Sequence, residues 1–188
     1  MLCLVWIMNL TPDIPSAYDN VISRVCARMR RGITMLPRPN IYTLASGAGE
    51  ADAAMTAFDA ALLAAGIGNL NLLRVSSILP PAAVFRPNLL IPPGSLLPVA
   101  YGTIASNCPG EIIAAAVAVG RGGPDDFGVI MECSGCYCRQ EIEYRIRAMV
   151  AEAFVNRGMD LKTVQVAAIE WTVRKIGAVI AAVPLWYA

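Results

Sequence analysis

Histidine is absent from the 188-residue chain. That absence removes Ser-His-Asp and Cys-His catalysis, histidine-ligated zinc and imidazole acid–base chemistry together. Charge is scarce as well: only 15% of residues are Asp, Glu, Lys or Arg, against about a quarter in an average soluble domain. A net charge of +1 gives no field to gather nucleic acid or an anionic membrane, so neither is expected as a partner. Spanning runs are missing too. Mean hydropathy is +0.55, yet the longest stretch without a charge, Pro87 to Gly110, carries Pro87, Pro92, Pro93, Pro98 and Pro109. Each of these breaks the backbone ladder that a spanning helix needs. Met1 to Met8 is apolar, but Thr11, Pro12 and Asp13 stop it well short of the ~20 residues of a span. No basic segment precedes it, so no secretory signal is read there. The expectation is a soluble, cytoplasmic protein. What is abundant is apolar: 56% of residues are hydrophobic, which excludes disorder and suggests surface buried between subunits. Any enzyme built this way must use carboxylates, thiols, amines or a cofactor made from its own backbone.

Residues 1–35 stand apart from 36–188. Arg28, Arg30 and Arg31 cluster there, and Met8, Met29 and Met35 could each begin a chain. Two readings stay open: an N-terminal extension with a helix near Tyr18–Arg30, or translation starting at Met29 or Met35. From Ile41 the pattern sharpens. Ser46-Gly47-Ala48-Gly49 reads as a turn before an alanine-rich helix from about Glu50 to Ala65, capped by Gly66. Leu70 to Leu79 reads as one strand, followed by strands at Leu97–Ile104, Glu111–Gly120 and Phe127–Cys133, with a loop over 122–126. Ile142, Ile146, Met149, Val150 and Phe154 fall on one face of a helix from about Arg139 to Arg157, ended by Gly158. Strands at Thr163–Val173 and Ala178–Trp186 close the chain. Two helices and six or seven strands without strict alternation predict an α+β layered sandwich.

Three motifs invite chemistry. Cys133, Cys136 and Cys138 spell C-x-x-C-x-C, with Cys108 distant; thiolates so spaced can hold zinc or an iron–sulfur cluster. Without histidine or a second C-x-x-C pair, no metal is expected, and small buried or turn-located thiols are the plainer reading. Gly47-Ala48-Gly49 lacks the remainder of either phosphate-binding glycine signature. Ser76-Ser77 before Pro80-Pro81 is, taken bare, a turn.

The wider context changes that last reading. The run Gly66-Ile67-Gly68-Asn69-Leu70-Asn71-Leu72-Leu73-Arg74-Val75-Ser76-Ser77-Ile78-Leu79-Pro80-Pro81 resembles the pyruvoyl-dependent arginine decarboxylase family. So do Thr56 to Leu63 upstream, Ala100-Tyr101-Gly102, Pro109-Gly110-Glu111, Gly128-Val129-Ile130-Met131-Glu132 and the closing Leu185-Trp186-Tyr187. The resemblance runs in order over about residues 36–188. It implies a four-layer αββα sandwich, assembled as a trimer or a multiple of one, with active sites between protomers. It also implies self-cleavage between Ser76 and Ser77 into a β chain ending at Ser76 and an α chain opening with a pyruvoyl group made from Ser77. That covalent ketone replaces pyridoxal phosphate and requires no metal.

The activity implied is conversion of L-arginine to agmatine and CO₂ through a Schiff base on the pyruvoyl group, at the head of a polyamine route. By resemblance Glu132 is the proton donor, on a mostly apolar strand where desolvation favours the neutral acid. Glu111 is a rival carboxylate, better read as structural. Asp59 is implied to face the substrate guanidinium, with Met55 beside it in substrate binding, a methionine where an aliphatic residue is usual. Asn71 is implied to polarise the scissile carbonyl or orient the substrate carboxylate. Other readings are a sister pyruvoyl decarboxylase for another amino acid, which Asp59 argues against, an unprocessed structural trimer, and a metal-binding module on the cysteines.

Overall fold

The last strand organises the rest. In the computed structural model, which describes residues 37–188, Arg38–Ala188 form one compact unit around β10, Ile176–Trp186. Its run Gly-Ala-Val-Ile-Ala-Ala-Val is apolar at every position, so both faces can be buried. Ala178, Ile180 and Ala182 enter one apolar cluster, while Val179, Ala181, Val183 and Leu185 enter another. That is the period of two expected of a strand.

Among the described residues, ten strands form two sheets. In the first, β10 lies between β6 (Leu96–Ser106) on one side and β2 (Ala45–Ala51) and β1 (Ile41–Tyr42) on the other. The parallel strands β3 (Asn71–Arg74) and β5 (Val84–Phe85) extend it beyond β6 and β1 respectively. The second sheet runs in the order β4 (Ile78–Leu79), β8 (Gly128–Gly135), β7 (Ile112–Arg121) and β9 (Thr163–Thr172), all antiparallel. Tyr42, Ala100, Val179, Ala181 and Val183 of the first sheet share a buried cluster with Leu79, Ile113, Val117, Val119 and Ile130 of the second. The Tyr42 hydroxyl donates to the Gln165 side chain, tying β1 to β9.

Helix α1 (Ala54–Ala64) packs Ala57 and Ala61 on Leu97, Val99, Ala178, Ile180 and Ala182 of the first sheet. Helix α2 (Arg139–Val155) packs Ile142, Ile146, Val150 and Phe154 on Ala114, Ala116, Ala118 and Val129 of the second. Burying one such Ile or Val contributes about 1.5–3 kcal/mol, and alanines on the strands leave room for the larger helix side chains. Both helices end as expected. Gly66, at φ +76°, donates to the Leu63 carbonyl while Ile67 donates to Leu62; Gly158, at φ +63°, and Met159 do the same on α2. These are the reciprocal bonds of a Schellman cap. No helix among the described residues is long and apolar enough to cross a membrane. The helix expected near Tyr18–Arg30 and the alternative starts Met29 and Met35 lie outside the described residues.

Two expectations are corrected. Ser46-Gly47-Ala48-Gly49 is not a turn but the middle of β2, paired with Gly49 opposite Ala178 and Gly47 opposite Ile180. Its glycines serve packing: a Cβ on Gly49 would sit 2.5 Å from the Ala61 amide nitrogen, and one on Gly47 would sit 2.3 Å from the Ala61 carbonyl oxygen. Glu50 and Ala51 stay in the ladder with β10, so α1 begins at Ala54 rather than Glu50. The second correction is to the expected single strand Leu70–Leu79. It is two strands in different sheets, β3 beside β6 and β4 beside β8. The chain crosses from one sheet to the other through Val75, Ser76 and Ser77.

Gly49→Ala places a methyl group against the α1 backbone, which has no flexible side chain to move aside. A loss of about 1–3 kcal/mol is expected, read as a lower urea midpoint, and an unchanged midpoint would mean α1 is free to lift off β2.

Candidate active site

The sheet crossing is pinned from both sides. Val75 N–H still donates to Val99 of β6 at 3.1 Å, and Ile130 N–H of β8 already donates to the Ser77 carbonyl at 2.8 Å. Between these ladders, the Ser76 carbonyl accepts the Ile78 N–H at 3.1 Å, a bond that spans two residues and makes Ser77 the centre of a γ-turn. Among the described non-glycine residues only Ala82 and Asn88 have positive φ, so Ser77 takes the inverse, unstrained form of that turn. The turn expected at Ser76-Ser77 is thus present and held by hydrogen bonds on both sides. Its carbonyl already has a donor aimed at the oxygen, where negative charge develops if a nucleophile adds to that carbon.

Glu132 reaches this crossing from β8. Ile130 and Glu132 lie on one face of the strand, about 7 Å apart along it, and Ile130 is the residue bonded to Ser77. The strand is mostly apolar, as expected, but Glu132 itself is only partly buried on it. A quarter of its side-chain surface is open, and an Arg74 Nη2 stands 3.6 Å from its Oε1. Arg74 closes β3 and is braced twice on β6: Nη2 donates to the Tyr101 carbonyl at 3.1 Å, and its guanidinium carbon lies 4.7 Å from the centre of the Tyr101 ring, within cation–π range. Arg74 and Tyr101 are residues that sequence reasoning missed. The available signal was one cation in an otherwise uncharged run, two residues before the Ser-Ser pair.

The other expected residues stand elsewhere in the chain's own fold. Asn71, at the start of β3, donates its side-chain amide to the Gly94 carbonyl at 2.7 Å. Asp59 lies two residues from both Ala57 and Ala61, on the outer face of α1, with Met55 one turn before it on the same side. Both are exposed. No hydrogen bond or ion pair among the described residues joins Asp59, Met55 or Asn71 to Ser77 or Glu132. The crossing thus gathers Ser76, Ser77, Glu132, Arg74 and Tyr101 within one protomer, and leaves Asp59 and Met55 facing outward.

The cysteines build a different corner. Cys133 is half-buried under α2, where burial pushes its thiol up against the lowering effect of Arg145. Cys108-Pro109-Gly110-Glu111 is a tight turn, with Glu111 N–H on the Cys108 carbonyl at 3.1 Å and Gly110 at φ +88°, the signature of a type II turn. Glu111 accepts from Ser106 Oγ on one oxygen and from Cys136 Sγ, at 3.2 Å, on the other. The Ser106 bond first, then the Cys136 bond, hold the Glu111 carboxyl below its usual range. The same hydrogen bond to Glu111, then burial and the charges of Glu111 and Cys108, push the Cys136 thiol up. Cys108, Cys133, Cys136 and Cys138 are free thiols. No three Cys, Asp or Glu side chains come together as a metal site among the described residues.

Residues 41–187 match the family model for pyruvoyl-dependent arginine decarboxylase. The chain is 45% identical over 152 residues to the pyruvoyl-dependent arginine decarboxylase of Methanocaldococcus jannaschii, covering 79% of this chain and 91% of that protein. It is 43% identical over 150 residues to that of Methanococcus vannielii, covering 79% and 92%. To the enzyme of the same name from Pyrococcus abyssi it is 39% identical over 151 residues, covering 79% and 96%.

Glu111→Gln weakens the hydrogen-bond acceptor and removes the charge that help hold the Cys136 thiol up, so its thiol should titrate lower and alkylate faster with iodoacetamide at mildly alkaline pH. Peptide mass mapping separates Cys136 from Cys108 and Cys138, and an unchanged Cys136 rate would detach it from Glu111.

Proposed function

The chain belongs to the pyruvoyl-dependent arginine decarboxylase family, and from that premise we propose that it cuts itself between Ser76 and Ser77 and decarboxylates L-arginine to agmatine and CO₂. The observation that carries the assignment of the cut is the Ser76 carbonyl, held at the sheet crossing with the Ile78 N–H on its oxygen. The Ser77 hydroxyl adds to that carbonyl carbon, and the Ile78 donor stabilises the charge that forms on oxygen. Collapse breaks the Ser76–Ser77 peptide bond and leaves an ester between the Ser76 acyl group and Ser77 Oγ. Loss of the Ser77 α-proton with departure of the Ser76 carboxylate, followed by water addition and release of ammonia, turns the new N-terminal residue into a pyruvoyl group. No oxidant is needed. The Ser77 carbonyl stays on the Ile130 N–H throughout, so the new terminus remains registered on β8.

Once formed, the ketone with its neighbouring amide supplies an electron sink for decarboxylation, the service pyridoxal phosphate gives elsewhere. The remaining tasks fall to side chains. Glu132, two residues beyond Ile130 on the same strand face, holds the proton that goes to the substrate α-carbon. Asp59 pairs with the substrate guanidinium, with Met55 one turn away against its methylene chain, and Asn71 orients the substrate end nearer the cleavage site.

Since Asp59 and Met55 face outward from α1, their contribution calls for a second protomer. Met55 and Leu63 leave 76% and 53% of their surface open on that helix, which supports α1 as part of a subunit face. We take the assembly as a trimer of processed units, or a multiple of it, and the protein as cytoplasmic. The apolar clusters between the sheets and beneath each helix support a four-layer αββα order. The domain is taken as 36–188, with 1–35 an extension.

Ser77→Ala deletes the attacking hydroxyl. It should run as one intact chain on a denaturing gel and release no agmatine, whereas two chains from this variant would move the cut elsewhere.

Asp59→Asn keeps the shape and removes the charge. Losing a charge-assisted pair worth about 3 kcal/mol should lower kcat/KM for arginine roughly a hundredfold, with self-cleavage intact. Unchanged arginine turnover would assign the guanidinium to another group.

A further inference from the structure

The cysteine corner has no task in the reaction proposed above, yet the fold builds it from both sheets. Strand β6 of the first sheet and β8 of the second lie at backbone distance. A Cβ on Gly102 would meet the Cys133 carbonyl oxygen at 3.0 Å, and Ser134 Oγ donates to the Thr103 carbonyl at 3.0 Å. The two strands end at Ser106 and Gly135. At those ends Ser106 Oγ and Cys136 Sγ donate to the two oxygens of one carboxylate, that of Glu111, which sets them within roughly 6 Å of each other. Cys108 N–H donates back to Ser106 Oγ at 3.1 Å, and the turn from Cys108 to Glu111 returns the chain to the same carboxylate. Cys108 is near enough for its charge to act on Cys136. Both thiols are exposed. Two cysteines that follow strands of different sheets thus meet around Glu111.

We propose that Cys108 and Cys136 form a reversible oxidation site, a thiol pair that a peroxide converts to one disulfide joining the end of β6 to the end of β8. The two sulfurs have different parts. The bond to Glu111 disfavours the thiolate at Cys136, so Cys108 meets the oxidant first. Its sulfur attacks one peroxide oxygen, the O–O bond breaks, and Cys108 becomes a sulfenic acid with release of water. Cys136 sulfur then attacks Cys108 sulfur, and the S–O bond breaks. The hydroxide that leaves takes the Cys136 proton, already shared with Glu111, and departs as a second water. Two thiols lose two electrons and two protons, and one hydrogen peroxide becomes two waters. Neither cysteine lies in a strand ladder, so the link breaks no strand pairing. A disulfide needs its Cα atoms within about 7 Å, and turn backbone at both residues can adjust to that spacing. The other thiols are placed differently: Cys133 lies on β8 under α2, and Cys138 is exposed but opens α2. The link would fasten together, beyond their ends, the two strands that carry Tyr101 and Glu132.

The test treats the reduced full-length protein at neutral pH with an equivalent of hydrogen peroxide, blocks remaining thiols with N-ethylmaleimide and maps the peptides without reduction. A Cys108–Cys136 linked pair should appear within one chain and dissolve in dithiothreitol, while Cys138, equally in contact with solvent, carries the maleimide. In Cys136→Ser the link should be lost and the sulfenic acid of Cys108 should be trapped by dimedone. In Cys108→Ser, Cys136 should lose its thiol roughly tenfold more slowly than in the unaltered protein. Linkage of Cys108 to any other cysteine, or a link between two chains on a non-reducing gel, would overturn the proposal. So would oxidation of Cys138 as fast as that of Cys108, or Cys108 passing unlinked to sulfinic acid, which would place Cys136 out of reach. Cys136 oxidising at an unchanged rate in Cys108→Ser would do the same. Should either serine variant fail to fold, the map of the unaltered protein still decides, since Cys138 is its internal standard.

Discussion

The ladder bonds on either side of Ser76 are the constraint from which the rest of the site follows. Val75 is still in register with the first sheet and Ser77 is already bonded to the second, so the two peptide units on either side of Ser76 must bridge two rigid bodies. That position deprives the Ser76 carbonyl of a ladder partner and leaves it to the Ile78 N–H. It also brings the end of β3, with Arg74, over the β8 strand that carries Glu132. A turn on the surface would allow none of this, because loop backbone settles its hydrogen bonds with water. The groups at the crossing are placed by two sheets that their own cores hold still.

Those cores depend on small residues where elements come close. Ala57 and Ala61 on α1 meet Gly47 and Gly49 on β2 at backbone distance, and Gly102 of β6 would bring a Cβ within 3.0 Å of the Cys133 carbonyl oxygen of β8. The second contact lies beside the site: Tyr101, which braces Arg74, precedes Gly102, and Glu132 precedes Cys133. Ser134 Oγ, bonded to the Thr103 carbonyl at 3.0 Å, fixes the two strands again one step further on. Sheet spacing at the crossing is thus set by backbone, and side-chain rotamers have little say in it.

Period and length made most of the architecture readable in advance. The apolar runs of β6 to β10 and the i, i+4 stripe of α2 survive any choice of partner, because burial on one or both faces is recorded residue by residue. Glycine in β2 misled, since the same residue that favours a turn also permits close packing, and only the neighbour tells which. The division of Leu70–Leu79 left no mark because the run stays apolar through the crossing; what changes is the partner strand, and partners are a property of the fold. Ser76, Ser77 and Glu132 were named through resemblance, and the fold groups them at one crossing. Arg74 was overlooked because its role depends on β8 and β6, sixty and thirty residues away by rough count along an extended chain. Asp59 and Met55 were named from the sequence, yet within one chain they face away from the crossing.

The proposed severing of the crossing would also alter what kind of object the protein is. The N-terminal piece would contribute β1, β2, α1 and β3, and the C-terminal piece β10 and β6, to one sheet and to the cluster of Ala57, Ala61, Leu97, Val99, Ala178, Ile180 and Ala182. After such a cut, that sheet would be a heterodimer of two chains with no covalent link between them. Its reassembly from the unfolded state would be a bimolecular encounter, dependent on concentration, where the precursor folds in a single chain. The mature form would then persist because it comes apart slowly, and the fold would be a record of the molecule's history as much as of its sequence.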